Sequence, residues 1–209
     1  MAIVMLLTGP NGDPIKTFEN QVVWVKGMKG SERRLAFIRG DLNATRENPA
    51  AYKKHVIPVI EKGDAYTWFH HGLLDVSTGQ HGKDPNFTEP TFEALYEATY
   101  GVAPSGDFYD AYKLVKSWRD ALQKAFWVNA GNPNKDKLVA ALNKMINDPE
   151  SVAAIEKKVG KYEWRTGAEG DDAVRTLKSF ITPKALKTLA DFKSDQLGYN
   201  TVYKEELTK

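Results

Sequence analysis

Apolar residues in this chain fall into two patterns: short uninterrupted runs, and longer stretches with apolar positions three or four apart. The opening run, Ala2 to Leu7, is too short to type as helix or strand. It is followed by a turn built from Gly9, Pro10, Asn11, Gly12, Asp13 and Pro14. Gln21 to Val25 is β-branched and aromatic and predicts a strand, and Asp41 to Thr45, Ala65 to Phe69, Ala125 to Val128 and Lys161 to Arg165 predict further short ones. Between them lie helical patterns. One runs from Glu32 to Arg39 and closes at Gly40, with Ser31 as its N-cap and Glu32 beside the positive end of its dipole. Asn48-Pro49 starts a second, with Tyr52, Val56 and Val59 on its inner face and Pro58 set to kink or end it. Thr91 starts a third, with Phe92, Leu95 and Thr99 on one side and Gly101 as the stop.

The remainder is richer in helix. Tyr112, Val115, Trp118 and Leu122 mark one amphipathic helix. Asn132-Pro133 begins another with Leu138, Leu142 and Met145, and Asp148-Pro149 a third with Val152, Ile155 and Val159. Val174, Leu177 and Ile181 mark a fourth, and Thr182-Pro183 begins the last, carrying Leu186, Leu189 and Phe192. His70 to Pro90, rich in Gly, Asp, Asn and Pro, reads as a long loop. Strands alternating with helices predict an α/β fold.

Composition narrows the function classes. The 209 residues carry 29 Lys+Arg against 27 Asp+Glu, a net charge of +2, which removes the usual electrostatic reason to expect nucleic acid as a partner. The absence of cysteine excludes a disulfide scaffold, a thiolate metal site and a cysteine nucleophile. No apolar run is long enough to span a membrane, and the opening segment lacks the basic start and small-residue exit of a signal peptide. Neither a nucleophile elbow nor a phosphate loop is present, and no cofactor is implied.

Two places carry better chemistry than the rest. In the first, a predicted strand, a Gly-containing turn and a helix start converge at Lys29, Gly30 and Ser31, an arrangement that binds small anions through backbone N–H groups. In the second, Thr45, Arg46 and Asn48 stand at another strand exit and helix mouth. There Arg46 is suited to a bidentate carboxylate pair, with Thr45 and Asn48 offering neutral hydrogen bonds. The competing reading is that Ser31 and Asn48 only cap helices while Arg46 pairs with a neighbour such as Glu47. His70, His71 and His81, with Asp75 and Asp84 nearby, open a metal reading, although their spacing fits no zinc pattern. Trp24, Trp68, Trp118 and Trp127 are expected in the core.

The same residues carry a resemblance. Val25-Lys26-Gly27-Met28-Lys29-Gly30-Ser31-Glu32, followed by Arg34 to Asp41, is similar to the strand, G-Y-K-G-S turn, helix and R-G-E-[VI]-D segment of tripartite tricarboxylate transporter substrate-binding receptors, the Bug-type periplasmic binding proteins. The likeness continues through Ala44-Thr45, Ala51-Tyr52, Lys83-Asp84-Pro85-Asn86-Phe87 and Pro90-Thr91-Phe92-Glu93-Ala94-Leu95. It ends with Asn129-Ala130-Gly131-Asn132-Pro133, Leu138, Leu142 and Asn147-Asp148-Pro149-Glu150, so that it spans residues 20 to 160. Met28 stands where the family has an aromatic residue, and Arg46-Glu47-Asn48 where it often has small hydroxyl residues.

The resemblance implies a type 2 periplasmic-binding-protein fold, two α/β lobes joined by crossing strands with the ligand in the cleft. It implies a periplasmic, non-catalytic receptor that delivers a small organic acid to membrane transporter subunits. Matched to that pattern, residues 1–100 correspond to second-lobe structure, and residues 101–209 to a helix-rich part returning to the first lobe. The two-lobed architecture is then expected to be incomplete at the N-terminus, leaving apolar surface for a homo-oligomer or a missing N-terminal partner chain to cover. The alternatives are an oligomeric or partner-binding module derived from that fold, and a metal-dependent hydrolase using His70, His71 and His81.

Overall fold

Capping chemistry in the sequence sets most of the helix starts. The computed structural model describes residues 1–75, 78, 80–122, 125–126, 128–129, 131–159 and 164–199. Helix α1 (Ala2–Thr8) is followed by α2 (Pro14–Gln21), where Asp13 Oδ1 accepts from the N–H of Ile15 at 2.9 Å and Pro14 occupies the first turn. Helix α3 (Gly30–Ile38) leads to α4 (Pro49–Ala51), capped by Asn48 through a 3.0 Å bond from the N–H of Ala51. A π-helical turn (Tyr52–Val56) and α5 (Ile57–Glu61) continue it. The widened turn lies just ahead of Pro58, which has no N–H to give and whose ring crowds the preceding turn. Strands β1 (Leu73–Asp75) and β2 (Gln80–Gly82) pair antiparallel, with Leu74 opposite His81.

Helix α6 (Phe92–Tyr100) starts at Thr91, whose Oγ1 accepts from the N–H of Ala94, and stops at Gly101 in the left-handed region at φ +73°. It is followed by α7 (Asp107–Leu122), α8 (Lys135–Ile146) and α9 (Pro149–Val159), the last capped by Asp148 at 2.9 Å from the N–H of Ser151. Helix α10 (Ala168–Ser179) precedes α11 (Pro183–Asp191), capped by Thr182, and a π-helical turn (Phe192–Gln196).

The molecule is mixed α/β but mostly helical, and β1–β2 is its one small sheet among the described residues. Several expected strands are therefore corrected. The strand expected from Gln21 does not form, since Gln21 ends helix α2, and the run from Ala2, which its pattern leaves untyped, is helix α1. Val22 to Lys29, Asp41 to Thr45 and Ala65 to Phe69 form no ladder, and Val23, Trp24, Val25 and Tyr66 are exposed. β-branched and aromatic residues make a strand only where a partner strand and a buried face receive them. Ala125, Phe126 and Val128 are not in a strand either, Trp127 and Lys161 to Glu163 lie outside the described residues, and Trp164 and Arg165 lie in no strand. The loop expected from His70 to Pro90 contains the β1–β2 hairpin. Gly72 makes that hairpin close: its φ is +72°, and a Cβ there would collide with the Gly82 carbonyl oxygen.

The chain divides into two units, each made of separate segments. The first comprises Met1–Val23, Phe69–Ala141 and Arg165–Lys209, so the boundary expected at residue 100 falls within it. Its core is aromatic: Phe92 is wholly buried, with Tyr112 edge-on at 5.0 Å and Phe69, Tyr96 and Tyr109 around it. Phe192 meets Phe18 at 5.2 Å and Phe108 at 5.1 Å, both edge-to-face. The second unit comprises Trp24–Trp68 and Leu142–Trp164. It holds α3, α4, the first π-helical turn, α5 and α9, and α4 packs on α9. No helix among the described residues is long and apolar enough to cross a membrane.

Candidate functional site

The anion-binding chemistry expected from the sequence lies in the second unit. Helix α3 begins two residues earlier than predicted, at Gly30, so Lys29 is the N-cap and Ser31 lies inside the first turn. That corrects the N-cap assignment of Ser31. Glu32, at the third helical position, folds back and accepts from the Lys29 N–H at 2.9 Å. A helix start leaves the N–H groups of Gly30, Ser31 and Glu32 without an intrahelical acceptor, and these carry the positive end of the dipole.

Two arginines on α3 hold the second candidate segment. Arg33 donates from Nη2 to the Arg46 carbonyl at 2.8 Å, and Arg34 donates from Nη1 to Glu47 Oε1 at 2.9 Å. Arg33 is also 3.8 Å from the same carboxylate. The Glu47 side chain is only 6% exposed, so its charge is neutralised by guanidinium groups rather than by water. The expected local partner of Arg46 is thus taken by α3, while Arg46 itself is exposed. Thr45 Oγ1 and Arg33 Nε are buried with no hydrogen-bond partner among the described residues. Asn48 Oδ1 is committed to its cap. The fold therefore brings Lys29, Gly30 and Ser31 into one unit with Thr45, Arg46 and Asn48. Lys29, Arg33, Arg34 and Arg46 supply cations against Glu32 and Glu47.

A second polar cluster, not foreseen from the sequence, lies in the first unit along α7. Tyr109, Tyr112, Lys116 and Asp120 recur every three or four residues, and Ser117 stands beside them. Lys116 Nζ is 3.2 Å from Glu93 Oε1 of α6, and its side chain is almost fully buried. Burial pushes its ammonium pKa down, against the pull of Glu93 and Asp120. His71 Nδ1 is 2.9 Å from the Tyr112 hydroxyl, and His81 Nε2 is 3.3 Å from Ser117 Oγ. Asp120 Oδ2 lies 3.9 Å from the same His81 nitrogen, too far for a hydrogen bond, and has no partner among the described residues. Burial raises the Asp120 carboxyl to about 7 and lowers His71 to about 4 and His81 to about 3, with the Lys116 charge adding to both histidine shifts. His70 stacks on Phe87 at 5.1 Å and accepts the Gly72 N–H at Nδ1.

Ser117, His81 and Asp120 contain the residue types of a nucleophilic triad but not its geometry. In a triad the carboxylate orients the ring nitrogen opposite the one that faces the nucleophile, whereas here hydroxyl and carboxylate meet the same Nε2. Ser117 is also wholly buried within a helix. Among the described residues, no three His, Asp or Glu side chains gather at metal-binding distance, and His70 and His71 turn to different neighbours. One sequence signal for this cluster was available: the polar residues of α7 share one helical face, which reads as solvent-facing when taken alone. Compared with known proteins, the chain matches no family model, no curated protein and no solved structure.

Proposed function

We propose that this chain is a non-catalytic binding protein for a small organic acid, a periplasmic solute receptor of the type 2 binding-protein kind. It passes its ligand to the membrane subunits of a tripartite tricarboxylate-type transporter. The resemblance over residues 20 to 160 suggests the family. The observation that carries the reading is the tie between α3 and the 45–47 segment, made by Arg33 and Arg34. It gathers the start of α3, the Lys29 ammonium and Arg46 within one unit, the combination of N–H groups and cations that holds a carboxylate. The chain also leaves the first unit and returns to it twice, as expected of two lobes joined by crossing segments.

Thermal-shift and calorimetric titration of the whole chain against di- and tricarboxylates, aromatic acids and amino acids tests this. A true ligand at a hundred times its Kd raises stability by about 2.7 kcal/mol, and Arg46→Ala and Ser31→Ala each weaken it. No shift with any of these acids at millimolar concentration would sink the reading. A second reading, a module that associates with protein, is favoured by the exposed Leu35, Ile38, Trp24 and Tyr66 of the second unit. It predicts association by light scattering and no small-molecule ligand.

A further inference from the structure

We propose that the β1–β2 hairpin is an acid-released latch on α7, held at neutral pH by the burial of uncharged His71 and His81 against Tyr112, Ser117 and Asp120. These side chains tie the hairpin and the residue before it to the helix, beside the buried Leu74 of β1. His71 precedes β1 and meets the Tyr112 hydroxyl, while His81 in β2 meets Ser117, with the Phe180 ring 6.3 Å away. The His81 side chain is 4% exposed. A proton added to either ring would be buried among cations: Lys116 and Lys113 of α7 and a charged His71 act on His81, while Lys116, the neighbouring His70 and, once the pH falls below about 6, the Met1 amino group act on His71. The acids in reach are poorly placed to compensate. Glu93 of α6 is engaged by Lys116, and Asp120 Oδ2 stays 3.9 Å from His81, with Asp84 acting on Asp120 as a like charge. From the remaining side, Arg165 donates to the Leu74 carbonyl at 3.5 Å.

The sign follows from linkage. Both histidines bind a proton more weakly in the closed state than when solvated. Their contribution to closure is complete above the ordinary histidine value and is lost as the pH falls toward 4. Asp120 acts oppositely, since its closed-state carboxyl holds a proton up to about pH 7. Between pH 8 and 6 the three effects nearly cancel. Below about pH 6 two histidines outweigh one carboxyl, and the opening constant rises roughly tenfold by pH 5. A threshold of this kind leaves the latch insensitive around neutrality and responsive in mild acid.

Hydrogen exchange on the full chain, corrected for the intrinsic pH dependence of exchange, tests the latch. Amides of 73–75 and 80–82 are expected to lose protection roughly tenfold between pH 6 and 5, while those of α11 do not. His81→Gln, which keeps a partner for Ser117 but cannot charge, abolishes the acid response. Asp120→Asn removes the opposing proton and enlarges the response between pH 6 and 5 by up to roughly tenfold. His55→Gln, at an exposed histidine of the second unit, leaves it unchanged. Should His81→Gln fail to fold, ring-proton titration of the wild-type chain decides, with His71 and His81 staying neutral to below pH 5 while the hairpin is closed. Hairpin protection that is constant from pH 8 to 5 overturns the latch, as does an acid response that survives His81→Gln or ordinary titration of both rings without opening.

Discussion

In the first unit a cluster of large aromatic side chains is buried. Phe92 has no exposed surface and meets Tyr112 edge-on, and the rings of Phe18 and Phe108 each meet Phe192 edge-on. In the second, Leu35 and Ile38 on α3 are each 57% exposed, and Ala36 is the one fully buried apolar residue among those described. What holds the second unit is largely polar: the Arg33 and Arg34 contacts to the 46–47 backbone and carboxylate, the Asn48 and Asp148 caps, and the Thr67 to Tyr52 hydroxyl bond. Apolar burial is non-directional and sums over a whole core, whereas each polar contact is worth about 1 kcal/mol and fails separately. The first unit is therefore built to melt as one body and the second to open piecemeal, which suits the half that offers the candidate anion site.

The sharpest way to break this contrast is Phe92→Ala. Removing a ring at the centre of four aromatic neighbours costs about 3–5 kcal/mol, because the cavity cannot collapse while the rings around it are wedged together. Urea unfolding should show a lower midpoint for the first unit as a whole. A loss below 1 kcal/mol would mean that the aromatic cluster is not its core.

Next in size is Glu47→Ala. It leaves Arg33 and Arg34 facing each other without a shared anion, and the loss is about 1–3 kcal/mol, moderated because both guanidinium groups reach water. Exchange should quicken at the α3 amides and leave α7 untouched. Organic-acid binding should weaken with it, since the carboxylate ties the 45–48 segment to α3. Unchanged α3 protection would show that this tie does not hold the unit.

How much of this was legible in the sequence depends on the range of the forces involved. The starts at Asn48-Pro49, Thr91, Asp148-Pro149 and Thr182-Pro183 are legible in the sequence, because a cap is a contact between residues three apart. The strand assignments at Gln21 to Val25 and Ala65 to Phe69 failed, because a strand exists only with a partner that local composition does not name. Lys29 to Ser31 and Thr45 to Asn48 were picked out separately. What joins them, Arg33 and Arg34 reaching thirteen residues along the chain, needed the fold. On α7 the apolar spacing marked Val115, which is exposed, while Lys116 and Ser117 are buried, because Glu93 and His81 arrive from distant segments to satisfy them.

A smaller effect is expected from Asn48→Ala. The cap supplies a single 3.0 Å acceptor to the Ala51 N–H, so its removal costs about 1 kcal/mol. The π-helical turn that follows α4 should fray with it, visible as faster exchange at residues 51–56 and no change in the first unit. Asn48→Asp should restore the loss, because a carboxylate caps as well and is favoured at a helix start.

The smallest effect separates the two functional readings. Leu35→Ser and Ile38→Ser remove apolar groups that are already more than half in water, so each should shift stability by no more than about 0.5 kcal/mol. A monomeric solute receptor with α3 open to solvent predicts that outcome, together with unchanged sedimentation. If copies associate through this face, either serine should instead dissociate them and lower the midpoint in a manner that depends on protein concentration, since oligomer stability is linked to concentration. A concentration-dependent loss at Leu35 but none at Val115, an exposed apolar residue of the first unit, would place the interface on α3. The open face of the second unit would then be a docking surface rather than the back wall of a solute site.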